Sequence, residues 1–165
     1  MTGPLAVFIG PMGAGKTRIG KRVARTLDVP FTDTDKVIVA AHGPIVDIFD
    51  QHGEPHFRAL ERDAVHAALT ADGIVSLGGG AVLDPDTRRE LAALPVVYLS
   101  VTAEAVAARL GGDNRPLVRG GIDDWQRIYD ARRDIYDELA TLELDTSRQP
   151  YDRLAQEVVT WLENR

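Results

Sequence analysis

The chain has 165 residues, 44% of them hydrophobic, enough for one domain with its own core, and a formal net charge of -6. That acidic balance, without any run of Lys or Arg able to track a phosphodiester backbone, argues against a nucleic-acid partner. The absence of cysteine excludes disulfides and thiolate zinc sites.

The apolar run over 5–9 ends at Gly10 and predicts a central strand covered on both faces. Without a basic n-region it is expected to be neither a signal peptide nor a membrane span, which suggests a cytoplasmic protein. The run Gly10, Pro11, Met12, Gly13, Ala14, Gly15, Lys16, Thr17 follows, and a helix over 16–27 places Ile19, Val23 and Leu27 four apart on one face. A short strand candidate at 30–32 leads to Asp33, Thr34 and Asp35, then to a helix over 36–41. Gly53, Glu54, Pro55, His56, Phe57, Arg58, Ala59, Leu60 and Glu61 precede a helix over 60–69. The strand over 73–77 runs into Gly78, Gly79 and Gly80. Helices over 87–93, 103–110, 125–140 and 151–163 alternate with strands over 96–99 and 142–144. Between them, the glycine-rich stretch 111–121 carries Arg115 and Arg119 and reads as a mobile lid, about 111–123. Such alternation predicts a parallel sheet wrapped by helices, with ligands bound beyond the carboxyl ends of the strands. No linker or repeat divides the chain, so 1–165 is expected to be a single domain.

The segment 10–17 matches G-x-x-x-x-G-K-[ST], and each specified position has a physical task. Glycines let successive amides turn inward onto phosphates, Lys16 adds a mobile positive charge, and the Thr17 hydroxyl is offered to Mg²⁺. The helix that follows aims its positive end at the same anion. Chance matches arise in about one chain per hundred of this length, fewer with the strand and helix also required. A guanine-reading Asn-Lys-x-Asp motif is absent, and the third strand does not end in the aspartate that many ATPases place there.

Asp33 and Asp35 bring two carboxylates to the sheet edge, and strand-like geometry would turn both into the cleft. One could hold a magnesium shell while the other takes a hydroxyl proton. The competing reading makes Asp35 an N-cap for the helix over 36–41. Arg58 can pair with a carboxylate through two hydrogen bonds. The three glycines allow close backbone approach to a ligand. Taken singly, a solvated helix arginine and a flexible turn are the favoured readings.

Taken in order, GPMGAGKT, DTD, GEPHFRALE as G-E-x-x-F-R-x-x-E, SLGGG, RPL and RRDIY as R-x-P-L-Y resemble the shikimate kinase family across almost the whole chain. Enzymes of that family phosphorylate the 3-hydroxyl of shikimate in aromatic amino-acid biosynthesis. The resemblance implies a three-layer α/β/α fold of the P-loop, nucleoside monophosphate kinase-like kind, with a five-stranded parallel sheet. It implies ATP as co-substrate and Mg²⁺ as cofactor, and a kinase this compact is expected to work as a monomer. Lys16, Asp35 and Arg115 become the catalytic groups. Gly13, Ala14, Gly15, Lys16, Thr17, Arg109, Arg115 and Arg148 bind ATP, and Thr17 and Asp33 hold the metal. Asp35 and Arg58, in a substrate-binding region about 33–61, bind shikimate together with Gly78, Gly79, Gly80 and Arg132. Asp134 and Ile135 stand where the family commonly has Pro-Leu, and Arg133 adjoins Arg132. Arg132 is preferred for the substrate carboxylate because it lies four residues before Tyr136.

Two rivals remain at this level: a gluconate kinase-like enzyme without this arginine clamp, and an inactive nucleotide-binding regulatory module. His42, His52, His56 and His66 show no metal-ligand spacing.

Overall fold

The computed structural model describes residues 3–110 and 120–165. Five strands, β1 (Pro4–Ile9), β2 (Phe31–Asp33), β3 (Gly73–Ser76), β4 (Val96–Ser100) and β5 (Leu142–Asp145), form one sheet in the order β2-β3-β1-β4-β5. All neighbouring pairs are parallel. The chain leaves β1 for the β2–β3 side, then crosses to β4 and β5. The crevice beyond β1 is therefore where the strand order reverses, the usual position of a ligand in such sheets.

The helices are α1 (Lys16–Leu27), α2 (Thr34–His42), α3 (Ile45–His52), α4 (Glu54–Leu69), α5 (Pro85–Leu91), α6 (Ala103–Leu110), α7 (Gly121–Leu139) and α8 (Tyr151–Glu163). They cover the sheet to give the three-layer α/β/α architecture expected, with α1 packed on α8 and α7 over β4. Val7, Phe8 and Ile9 of β1 are buried with Ile74 and Val75 of β3 and Val96, Val97 and Leu99 of β4. β-branched and aromatic residues suit this two-sided burial. Where β1 ends, Gly10 has φ 142°, and a Cβ there would collide with the Leu99 carbonyl oxygen. The glycine lets the following loop leave tight against β4.

A second, smaller apolar cluster of Ile38, Ile48 and Phe57 joins α2, α3 and α4. The helix α3 was not anticipated. It has eight residues, set between Pro44 and Gly53, with Ile45, Ile48 and Phe49 on one side, too short for a periodic signal to stand out. The helix α4 starts at Glu54, six residues before the expected start, with a proline in its first turn where the missing amide costs nothing.

The strand-like geometry expected for Asp33 and Asp35 is corrected. β2 stops at Asp33, whose carboxylate caps α2 by accepting from the amides of Asp35 (3.0 Å) and Lys36 (3.3 Å). The N-cap is thus Asp33, and Asp35 lies within the first helical turn. Of the expected lid, residues 111–119, with Arg115, lie outside the described residues. Residues 121–123 form the first turn of α7. Among the described residues no helix is long and apolar enough to cross a membrane.

Candidate functional site

The loop between β1 and α1 occupies its carbonyls and leaves the start of α1 without a side-chain cap. Gly15 caps α1 in the left-handed region (φ 96°) without any side-chain cap, and no acidic residue occupies the first turn. The helix start is thus left for an anion. Six carbonyls in succession are meanwhile taken by donors. Lys16 Nζ donates to the oxygens of Gly10 (2.6 Å) and Pro11 (3.0 Å). Trp125 Nε1 donates to Met12 (2.7 Å), Arg109 Nη1 to Gly13 (2.8 Å), Thr146 Oγ1 to Ala14 (2.8 Å) and Ile19 N to Gly15 (2.9 Å). Carbonyl dipoles that would repel a phosphate are therefore each engaged by a donor. Burial pushes the Lys16 ammonium down to about 8, opposed by the charges of Asp35 and Asp33.

At the foot of the loop the Thr17 hydroxyl donates to Asp33 Oδ2 at 2.7 Å. The other oxygen of Asp33 is the one that caps α2. A hydroxyl beside a carboxylate, both hard oxygen donors, suits Mg²⁺ rather than a softer metal. Lys16, Thr17, Asp33, Asp35, Arg109 and Tyr151 all line a cavity of about 490 Å³ here.

A second cavity, of about 410 Å³, opens between this one and helices α3, α4 and α7. Met12 and Asp35 are the two described residues that line both. Its floor is the glycine triplet, and each glycine leaves room for a different side chain. A Cβ on Gly78 would lie 2.6 Å from Asp35 Oδ1, on Gly79 3.4 Å from Arg132 Nη1, and on Gly80 2.5 Å from Arg58 Nη1. One carboxylate and two guanidinium groups thus converge on three residues without side chains. Burial, then the neighbouring charge of Asp33, raises the Asp35 carboxyl above its ordinary value, while Lys16 and Arg58 pull it back. Arg58 is held by Glu61 at 2.7 Å, an acid 4% exposed whose ionisation burial disfavours and Arg58 supports. Ile45, Phe49 and Phe57 form an apolar wall, with the two rings 4.9 Å apart.

Of the two adjacent arginines, Arg132 is half-buried and lines this cavity, whereas Arg133 is exposed. Arg133 donates to Asp130 at 3.2 Å and lies 4.4 Å over the Tyr129 ring, facing a separate cavity.

Arg109 bridges the loop to the β5–α8 turn, bonding Gly13 and the Thr146 carbonyl, and lies 5.3 Å over the Tyr151 ring. Arg148, expected beside it, is exposed and does not line the nucleotide-side cavity. Its charge acts instead on Asp145, whose carboxyl is lowered first by the Ser147 hydrogen bond. Tyr151, Thr146 and Trp125 were not anticipated. Trp125 and Tyr136 carried a signal: with Tyr129 and Arg132 they fall at offsets of four, seven and eleven residues, one face of a helix. Tyr136 donates to the Gly79 carbonyl at 2.6 Å, and burial pushes its phenol up to about 12, keeping it a donor.

This arrangement can hold a polyphosphate and a metal on one side, a hydroxylated carboxylate on the other, and a single carboxylate between them. A family model described as shikimate kinase matches residues 12–163. A shikimate kinase of Streptomyces avermitilis is 44% identical over 167 residues, covering 99% of this chain and 98% of that one. One from Saccharopolyspora erythraea is 47% identical over 161 residues, covering 94% and 92%. Among solved structures, shikimate kinase from Acinetobacter baumannii in complex with shikimate superposes with a TM-score of 0.87 at 29% identity, covering 99% of this chain and 94% of that one.

Proposed function

Because the chain belongs to the shikimate kinase family and phosphorylates shikimate to shikimate 3-phosphate with ATP, we propose that its two cavities are the two halves of that reaction. The loop 10–17 takes the phosphates of ATP, and the cavity over Gly78, Gly79 and Gly80 takes shikimate. The observation that carries this reading is that Asp35 borders both cavities, with Arg58 and Arg132 beyond it.

Arg58 and Arg132 clamp the shikimate carboxylate, since paired guanidinium groups recognise a carboxylate with geometric as well as electrostatic selectivity. The backbone of the glycine triplet underlies the ring. Asp35 accepts a hydrogen bond from the 3-hydroxyl and orients its oxygen toward the terminal phosphate. As the new O–P bond forms and the bond to ADP breaks, the hydroxyl proton passes to the Asp35 carboxylate and then to solvent. Its raised basicity suits that role.

Phosphoryl transfer through a loose transition state depends mainly on positioning and charge neutralisation. Lys16 exchanges the loop carbonyls of Gly10 and Pro11 for phosphate oxygens as nucleotide binds. Thr17 and Asp33 would hold Mg²⁺, which supplies neutralisation of phosphate charge when bound. Gly13, Ala14 and Gly15 present amides to the phosphates. Arg109, with Tyr151 beside it, borders the nucleotide, and the family resemblance assigns Arg115 to the ATP phosphates as a catalytic group. The whole chain acts as one kinase domain and as a monomer, working on small molecules in the cytoplasm.

A coupled ADP-release assay with shikimate, gluconate and quinate tests the acceptor half. Turnover with shikimate and none with gluconate is expected. Turnover with gluconate alone would overturn the assignment.

A further inference from the structure

Trp125 occupies the second turn of α7, 3% exposed, and faces both cavities' machinery at once. Its indole nitrogen donates to the Met12 carbonyl of the phosphate loop, and its ring forms part of the wall of the shikimate cavity. That ring meets Tyr129 edge-on, at 5.4 Å and 66°. Further along the same helix face, Tyr136 donates to the Gly79 carbonyl. One rigid helix therefore grips the loop after β1 and the glycine turn after β3 through two hydrogen bonds.

Among the six loop carbonyls, that of Met12 is distinctive in the origin of its donor. Lys16 and Ile19 belong to α1 itself, while Arg109 and Thr146 approach from α6 and the β5–α8 turn, on the nucleotide side. Trp125 is the donor that comes from the acceptor side. Loss of its N–H would leave the Met12 carbonyl without this part-buried hydrogen bond and free to rotate toward the phosphates, where its dipole opposes an anion.

We propose that Trp125 is a positioning residue that couples the two half-sites. It holds the Met12 carbonyl outward so that the loop amides stay turned to the phosphates, and shikimate packed against the same indole reinforces that hold. The inference rests on the reading of the two cavities given above. By reciprocity of linkage, the acceptor then tightens nucleotide binding and the nucleotide tightens acceptor binding by the same factor.

The test is Trp125→Phe in the full chain, which keeps an aromatic wall and removes the donor. Affinity for Mg-ADP is measured calorimetrically with and without shikimate, for this variant and the native protein. Nucleotide affinity without shikimate should weaken up to about tenfold, the upper end of what one lost hydrogen bond costs. Shikimate affinity without nucleotide should change less than about twofold, because the apolar wall remains. The tightening by shikimate seen in the native protein should shrink toward none. A residue that only packs would weaken both ligands in parallel, and that result, unchanged nucleotide affinity, or a native protein without coupling each overturns the proposal. Native protein that binds no nucleotide would instead overturn the reading of the phosphate loop. As a second measurement, Trp161→Phe leaves Trp125 as the sole tryptophan of the two in the chain. Its emission should shift on Mg-ADP binding without shikimate, and an unresponsive emission contradicts the proposal even if Trp125→Phe fails to fold.

Discussion

Asp35 stands against Gly78 so closely that a Cβ on the glycine would lie 2.6 Å from the carboxylate. The position therefore reports on the geometry of the proposed base. Gly78→Ala must push the short Asp35 side chain off its line to the acceptor hydroxyl, and turnover should fall at least about tenfold, since small misplacements in a reacting pair are costly. Gly80→Ala meets instead the flexible end of Arg58. It should raise the KM for shikimate while leaving kcat nearer the native value. Steady-state kinetics of the two variants check the contrast, and equal effects on both parameters would contradict it.

Asp35→Asn should keep ADP affinity while kcat falls at least about a hundredfold, the scale of a lost general base. Stability should move the other way. The folded-state pKa of Asp35 is raised above its ordinary 3.8 by burial, so its ionisation costs more in the folded protein. Its contribution is fully present at low pH and is lost as pH rises through the folded value. Melting curves should show Asp35→Asn more stable than the native protein near neutral pH, with the gap closing toward about pH 4.

Lys16 follows the same logic with opposite charge. Its folded pKa is about 8 against an ordinary 10.5, so in that window the unfolded chain holds a proton that the folded one has released. Stability of the ligand-free protein should rise with pH there, apart from other titrations. Lys16→Met should raise the melting temperature at neutral pH and lower kcat at least about a hundredfold, as expected for loss of a phosphate-neutralising charge. Added Mg-ADP should stabilise this variant less than the native protein.

Arg132→Ala should raise the KM for shikimate about ten- to a hundredfold, the scale of hydrogen bonds to a charged group, with KM for ATP little changed. Arg133→Ala should stay within about twofold, because its exposed pair with Asp130 is of the weak surface kind. A larger effect for Arg133→Ala would reverse the assignment between these neighbours.

Local patterns made much of this fold readable. The bounds of α1, α6 and α8 match those expected from their periodic apolar positions, with Gly15 before α1 and Pro150 before α8 marking the starts. The phosphate loop was legible because its chemistry demands residue types at fixed spacing. Asp33 was misjudged because its cap on α2 depends on where β2 stops, a matter of one residue. The helix α3 was hidden by its length. Trp125, Thr146 and Arg109 reach the phosphate loop from 113, 132 and 96 residues away. Such donors are chosen by tertiary packing: the helix-face spacing of Trp125 and the family resemblance of Arg109 gave their positions, and nothing local gave their partners. Arg148, which the resemblance places at the nucleotide, is exposed and is not among the residues lining the cavity at the phosphate loop.

The central claim is that Asp35, Arg58 and Arg132 together define the acceptor half of the site. A crystal structure of the chain with shikimate, ADP and Mg²⁺ tests it most directly. The shikimate carboxylate should lie within hydrogen-bond distance of both Arg58 and Arg132, with its 3-hydroxyl on Asp35 and its ring over Gly78, Gly79 and Gly80. A carboxylate bound by Arg133, or a ring lying away from the glycine floor, would contradict it.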